Sequence, residues 1–208
     1  ECRAKIMRSS DFLLELVNDV LDMSKLESGE MQLEEVPFDL NELLHDVGAL
    51  LSTQAQARGI TYTTTMEDKR EKHVIGSPLH VRQVLQNLLG NAVKYNKVGG
   101  EIFLTSREIA LTEDTVTFEF IVRDTGNGMS EAFQQRAFEP FAQEDTNARS
   151  SYVGTGLGLA IVKELVEKMG GEITLQSEKN VGSTFTVHLT FKQDKDAQRA
   201  DDDAHGGA

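Results

Sequence analysis

Residues 78–95 read Pro78-Leu79-His80-Val81-Arg82-Gln83-Val84-Leu85-Gln86-Asn87-Leu88-Leu89-Gly90-Asn91-Ala92-Val93-Lys94-Tyr95, and they carry two stripes at helical spacing. Val81, Leu85, Leu88 and Ala92 share one face, the pattern of a helix laid on a core, with Pro78 in the first turn. Asn87, Asn91, Lys94 and Tyr95 form a polar stripe displaced by about a quarter-turn. Two carboxamides a turn apart, followed by an amine, suit a hydrated magnesium ion and phosphate oxygens. A solvated helix face accounts for the same residues.

Working outward, strands flank this helix. Ile60 to Met66 alternates and is rich in β-branched residues, and His73-Val74-Ile75 is a shorter strand. Gly99-Gly100 introduces a strand over 101–109. Its antiparallel partner is 115–123, with Val116, Phe118, Phe120 and Val122 on one face. A short helix over 130–138 and a long polar loop over 139–153 follow. A helix is expected over 155–169. The last element is a hairpin, 172–178 and 183–191, turning through Asn180-Val181-Gly182. This order predicts an α+β fold, a two-layer α/β sandwich with mostly antiparallel pairing.

Towards the N-terminus, residues 4–26 carry Ile6, Leu13, Leu16, Val17, Val20, Leu21 and Met23. That set is broader than one stripe and predicts a long bundle helix burying two faces. Ser28-Gly29 stops it. The expected organisation is a bundle helix over 1–29, a linker over 30–37, a main domain over 38–192 and a disordered tail over 193–208. Asp39 or Asn41 caps a helix that runs to about Arg58.

Composition narrows the class. Twenty-one basic against 34 acidic residues leave a formal charge of −13. Such a surface repels phosphate backbones, so no nucleic-acid partner is expected. No apolar run approaches the ~20 residues that span a bilayer. The single Cys2 excludes an internal disulfide and a cysteine-rich zinc site. The first ten residues are charged, unlike a signal peptide. A cytoplasmic piece of a longer protein is expected, with attachment of that protein to a membrane left open.

Two glycine-rich segments complete the candidate chemistry. The strand ending at Arg123 runs into Asp124-Thr125-Gly126-Asn127-Gly128-Met129, where an acid and two glycines let backbone approach a planar ligand. A tight turn with an Asx cap explains the same residues. Gly154-Thr155-Gly156-Leu157-Gly158 opens an apolar helix and presents bare N–H groups to an anion. A polar loop precedes these glycines instead of a strand, and no Gly-Lys-Ser/Thr follows. Neither a dinucleotide fold nor a P-loop is therefore present.

Taken in order, these segments and Phe138-Glu139-Pro140-Phe141 resemble the catalytic and ATP-binding domain of sensor histidine kinases, of the GHKL superfamily, over residues 76–191. Arg82 to Tyr95 resembles the N box, Asp124 to Gly128 the first glycine box, Phe138 to Phe141 the F box and Gly154 to Gly158 the second glycine box. Residues 10–40 resemble the second dimerisation helix and its exit. The resemblance implies ATP and Mg2+ as cofactors, with Asn91 holding the metal, Lys94 on phosphate and Tyr95 packed on the nucleotide. It implies that Asp124 accepts from the adenine amino group and that Gly128 lets the ring approach. Gly154, Gly156 and Gly158 would hinge a lid and offer amides to phosphates. Arg149 would reach the γ-phosphate. Gly126, Met129, Phe138, Phe141, Thr155, Leu157, Leu159 and Thr184 complete the expected ATP site.

The family's ATPase relatives of gyrase and mismatch-repair type place a glutamate base where Asn87 stands. An amide there fits phosphoryl transfer better than hydrolysis, with Asn87, Lys94 and Arg149 as the catalytic set. Ser77, Asn96 and Asn127 depart from the usual pattern without removing a direct ligand. The phosphoacceptor H box is absent: His45 is followed by Asp46 but by no proline. The expected activity is therefore transfer of the ATP γ-phosphoryl group to a histidine on a dimerisation helix outside this chain. A response-regulator receiver domain and a homodimer of the full-length protein are the implied partners. A GHKL-fold ATPase and a non-catalytic adaptor keeping the fold are the alternatives.

Overall fold

The computed structural model describes residues 2–67, 72–144 and 154–197. It opens with helix α1 (Cys2–Glu27), which ends at Ser28 and at Gly29, whose φ is +73°. Only glycine enters that left-handed region at little cost, so the helix stops there. Strand β1 (Val36–Asp39) follows and pairs antiparallel with β3 (His73–Gly76). The segment read as a link thus ends in a strand, with Val36 opposite Gly76 and Pro37 opposite Ile75. Proline is tolerated there because β1 is an edge strand and has no neighbour on its other side.

Helix α2 (Leu40–Ala57) is capped by Asp39, whose Oδ1 accepts from the amides of Asn41 at 2.6 Å and Glu42 at 3.0 Å. Helix α3 (Pro78–Lys94) carries Pro78 at its first position. Strands β2 (Thr61–Met66), β4 (Glu101–Leu111), β5 (Thr115–Asp124), β6 (Glu172–Glu178) and β7 (Gly182–Gln193) complete the sheet with β1 and β3. Their order is β1-β3-β7-β5-β4-β2, with β6 also on β7. Every pairing is antiparallel except that of β2 with β4.

Two helices are shorter than the sequence suggests. The helix expected over 130–138 is only α4 (Glu131–Gln134), capped by Ser130, with turns beyond it. The one expected from 155 begins at Gly158 as α5 (Gly158–Lys168), because Gly156 sits at φ +74° and interrupts helical geometry. Gln193, placed in the expected tail, closes β7 opposite Val74. The tail beyond residue 197 lies outside the described residues.

Helices α2, α3 and α5 lie on one face of the sheet. Their buried Leu44, Val47, Leu85, Leu88, Ile161 and Leu165 join Val116, Phe118, Phe120 and Val122 of β5 in one apolar core. The other face carries polar side chains at alternate positions: Thr117 bonds Thr190 at 2.8 Å, and Glu119 bonds His188 at 2.8 Å. This is a two-layer α+β sandwich of open-sheet type. Helix α1 lies against α5. Leu16 and Met23 pack on the core and Leu26 is buried in it, while Leu13, Val17, Val20 and Leu21 remain exposed. Only one of the two faces expected to be buried is therefore covered within this chain.

Candidate functional site

A cavity of about 220 Å³ opens between α3, the segment after β5, and the glycine segment before α5. Helix α3 sets its floor. With Val84, Leu85, Leu88 and Leu89 turned into the core, Asn87, Asn91 and Lys94 must turn out of it, and all three line the cavity with Tyr95. Lys94 Nζ lies 5.6 Å from the centre of the Tyr95 ring. Burial pushes the Tyr95 hydroxyl pKa up, so it stays a neutral phenol.

The deep wall begins where β5 ends. Asp124 lines the cavity; its Oδ1 accepts from the Gly126 amide at 2.8 Å, and burial raises its carboxyl above the ordinary range. Gly126 does not itself line the cavity. A Cβ there would stand 2.6 Å from the Tyr95 carbonyl oxygen, so the glycine lets the loop lie on the end of α3. The Asn127 amide donates to that same carbonyl at 3.0 Å. Gly128 and Met129 face the cavity, and the Met129 amide donates to Ser177 Oγ at 2.8 Å. Gln134 ties this loop to β6 by donating from Nε2 to the carbonyls of Met129 at 3.2 Å and Ser177 at 2.9 Å.

Opposite lies the glycine segment. Gly154, Thr155, Gly156 and Gly158 line the cavity, as does Leu159. A Cβ on Gly154 would sit 2.8 Å from the Tyr95 hydroxyl and 3.0 Å from Lys94 Nζ, so this backbone lies against the ends of those two side chains. Helix α5 has no side-chain hydrogen bond at its N-cap, which leaves its first amides available to an anion. Gln143 Nε2 donates to the Gly154 carbonyl at 2.6 Å.

Other expected site residues fall elsewhere. Leu157 is buried in the core. Phe138 stands behind the cavity, edge-on to Phe185 with ring centres 6.5 Å apart, and it is Phe185 that lines the space. Phe141 is 65% exposed and turns away, with its backbone at φ +61°. Thr184 points to the opposite face of β7 from Ser183 and Phe185, because side chains alternate along a strand; Ser183 takes the expected place. Arg149 lies outside the described residues.

Sequence reasoning also missed two acids. Glu15 and Asp19 of α1 line the cavity, and Asp19 Oδ2 accepts from Thr155 Oγ1 at 2.6 Å. Asp19 stands in the stripe Phe12, Leu16, Asp19, Met23, Leu26 whose spacing of four and three places it on the packed side. An acid in an apolar stripe was the available signal. Among the described residues no group of three or more His, Cys, Asp or Glu forms a metal cluster. One hard amide oxygen, from Asn91 beside Lys94, suits magnesium that keeps its waters and takes its remaining ligands from phosphates.

No histidine lines this cavity among the described residues. His45 is exposed on α2. His80 is buried, within 2.6 Å of Ser77 Oγ through Nδ1, and burial holds its pKa down. His188 faces Glu119 on the far side of the sheet.

The sequence profile of histidine kinase-, DNA gyrase B- and HSP90-like ATPases matches residues 76–193. The signal transduction histidine-protein kinase BarA of Escherichia coli (strain K12) is 41% identical over 186 residues, covering 89% of this chain and 20% of BarA. The sensory/regulatory protein RpfC of Xanthomonas campestris pv. campestris is 39% identical over 189 residues, covering 91% of this chain and 26% of RpfC. The chain thus spans about a quarter or less of the length of these relatives. Full-length ShkA, in a crystal structure with AMPPNP, superposes with a TM-score of 0.75 at 34% identity, over 91% of this chain and 38% of ShkA. The nucleotide-free catalytic domain of the histidine kinase ThkA gives 0.61 at 26% identity, over 76% of this chain and 95% of that domain.

Proposed function

This chain belongs to the histidine kinase-, DNA gyrase B- and HSP90-like ATPase family and is a catalytic, ATP-binding domain of the histidine-kinase kind; on that premise we propose that it transfers the γ-phosphoryl group of Mg-ATP to a histidine outside this chain. The observation that carries the reading is one cavity in which the Asn87, Asn91 and Lys94 stripe faces the Gly154–Gly158 backbone, with Asp124 at its other wall. Asp124 accepts from the exocyclic amine of adenine, and Gly128 and Met129 border the ring. Asn91 holds magnesium through its amide oxygen, and Lys94 and the opening amides of α5 take the phosphate oxygens. Bound there, magnesium neutralises the charge of the phosphates.

In the transfer, an imidazole nitrogen of the acceptor bonds to the γ-phosphorus as the bond to the bridging oxygen breaks, and ADP leaves with that electron pair. This chain's residues position the triphosphate and balance its charge; none becomes covalently attached. Asn87 carries no basic group to activate water, which favours transfer over hydrolysis. The lack of any described histidine in the cavity supports an acceptor supplied by a separate helix. Arg149 is proposed to contact the γ-phosphate. A receiver domain is proposed as the next recipient, in a dimeric full-length protein.

The test mixes this chain with labelled Mg-ATP and a polypeptide bearing an H-box helix. Acid-labile, base-stable phosphate is expected on that polypeptide and not on this chain. Asn91→Ala should lose measurable Mg-ATP binding by calorimetry. Unaltered affinity in that variant, or label on His45, overturns the assignment.

A further inference from the structure

Behind the cavity wall runs a chain of hydrogen bonds that the phosphoryl transfer does not use. Ser177 of β6 does not line the cavity, yet its Oγ accepts from the Met129 amide at 2.8 Å and donates to the Gly182 carbonyl at 2.9 Å. The same oxygen lies 2.9 Å from Ser183 Oγ. One side chain grips the backbone of Ser177 on both sides. Gln134 Nε2 donates to its carbonyl at 2.9 Å, and Gln134 Oε1 accepts from its amide at 3.2 Å. Gln134 Nε2 also donates to the Met129 carbonyl at 3.2 Å. A reversed carboxamide would set oxygen against two carbonyl oxygens, so only one orientation satisfies these partners.

The ends of this chain have a polarity that cannot reverse, because a backbone amide only donates and a backbone carbonyl only accepts. Ser177 has one hydroxyl proton, and it goes to the Gly182 carbonyl, which brings no proton of its own. The contact with Ser183 is then made only if Ser183 Oγ donates and Ser177 Oγ accepts. Ser183 is buried, so leaving that bond unmade would be costly. The Ser183 proton is thereby committed to Ser177, and only lone pairs remain for the cavity that Ser183 lines. Asp124 stands directly opposite Ser183 in the β5–β7 pairing, where Cβ atoms lie ~4.5–5.5 Å apart. Two acceptors therefore stand side by side at the wall where Asp124 meets the base.

We propose that Ser177 is a positioning residue for base selectivity: by fixing the direction in which Ser183 donates, it makes Ser183 a second acceptor beside Asp124, matched to the exocyclic amine of adenine and opposed to the carbonyl of guanine. The proposal rests on the reading of the cavity as an Mg-ATP site with Asp124 at the base. Gln134 serves the same end one step further out, because it holds the Ser177 backbone and the Met129 carbonyl together. Released from Ser177, the Ser183 hydroxyl turns its proton into the cavity and offers guanine the donor it lacks.

The test titrates the whole chain with Mg-AMPPNP and Mg-GMPPNP in competition and reads the ratio of the two affinities. Ser177→Ala should lower the preference for the adenine nucleotide at least ~5-fold, since one hydroxyl changes from acceptor to donor. In a Ser183→Ala background the same substitution should move the ratio by less than ~2-fold, because the hydroxyl it orients is gone. A packing role alone would weaken both nucleotides by one factor and leave the ratio untouched. Ser183→Ala by itself should also lower the preference, by weakening the adenine nucleotide more than the guanine one, and it answers the question if Ser177→Ala fails to fold. An unchanged ratio in either single variant overturns the proposal while the nucleotide reading stands. So does a shift from Ser177→Ala that is equally large in the Ser183→Ala background. A parent that binds neither nucleotide overturns the nucleotide reading, and the proposal with it.

Discussion

Asp124 shows how much a single side chain can decide. One carboxylate oxygen is held by the Gly126 amide at 2.8 Å, and the group is buried enough that its pKa rises. An ionised carboxylate only accepts, so it matches the exocyclic amine of adenine and opposes the carbonyl that guanine presents in its place. Asp124→Asn supplies a donor as well and should erode the preference for ATP over GTP by about tenfold or more, since a hydrogen bond to a charged group contributes ~1.5–3 kcal/mol. Competition titrations with the two nucleotides measure this, and equal discrimination in variant and parent would refute the role. At this scale the sequence was legible where spacing speaks: Asn87, Asn91 and Lys94 share a helical stripe and share the cavity. It misled by one residue at Thr184, because the parity of a strand is fixed by its partner and not by its own composition. Ser183 and Phe185 face inward on β7.

Among the elements, the loop after β5 and the end of the β6–β7 hairpin interlock through glycines. Gly128, at φ +60°, leaves no room for a Cβ, which would fall on the carbonyl of Glu178 in the β6–β7 turn. Gly182 meets the carbonyl of Asp124 in the same way from the other side. Gly128→Ala combines an unfavourable left-handed backbone with that collision and should destabilise the chain by ~1–3 kcal/mol in urea denaturation. It should also weaken nucleotide binding, because the turn and Asp124 must separate. An unchanged midpoint would contradict the packing described. The helices α2 and α3 and the β4–β5 and β6–β7 hairpins could be read from periodicity and turn residues. Strand β1 could not, being four residues long, containing Pro37 and deriving its strand character from β3. The parallel pairing of β2 with β4 left no mark in residue type, since direction depends on where α2 and α3 carry the chain. The docking of α1 left one mark, the acid Asp19 within an apolar stripe, but which element meets that stripe is set by the tertiary contact with Thr155.

For the molecule as a whole, pH sensitivity resides partly in the polar face of the sheet. Glu119 is buried there between His188 and Arg107. The hydrogen bond with His188 draws its carboxyl pKa below the ordinary range, with Arg107 assisting and burial opposing. An unfolded glutamate takes up its proton near about pH 4.3, whereas the native one resists to a lower pH. The contribution is therefore complete above the ordinary value and is lost as pH falls through the lowered native value. Glu119→Gln should lower the urea midpoint at about pH 7, and its deficit against the parent should shrink as pH drops below about 4. A deficit that stayed constant across that range would assign the effect to packing instead.

Strand β7 pairs with three strands where the others pair with one or two: β5 along one side, β6 and then β3 along the other. It is also the last strand of this sheet in chain order. A ribosome delivers α2, α3 and the β4–β5 hairpin before the strand that joins β5 to β3 exists, so the nascent chain carries half-sheets with open edges until Gln193 emerges. Ser183 and Phe185 arrive with it, so the lining of the cavity is incomplete until then. Stalled chains exposing residues only to Glu178 should be cleaved like unfolded polypeptide and fail to retain nucleotide, while those exposing Gln193 should resist protease. On this order of synthesis, an unfinished copy is expected not to retain nucleotide.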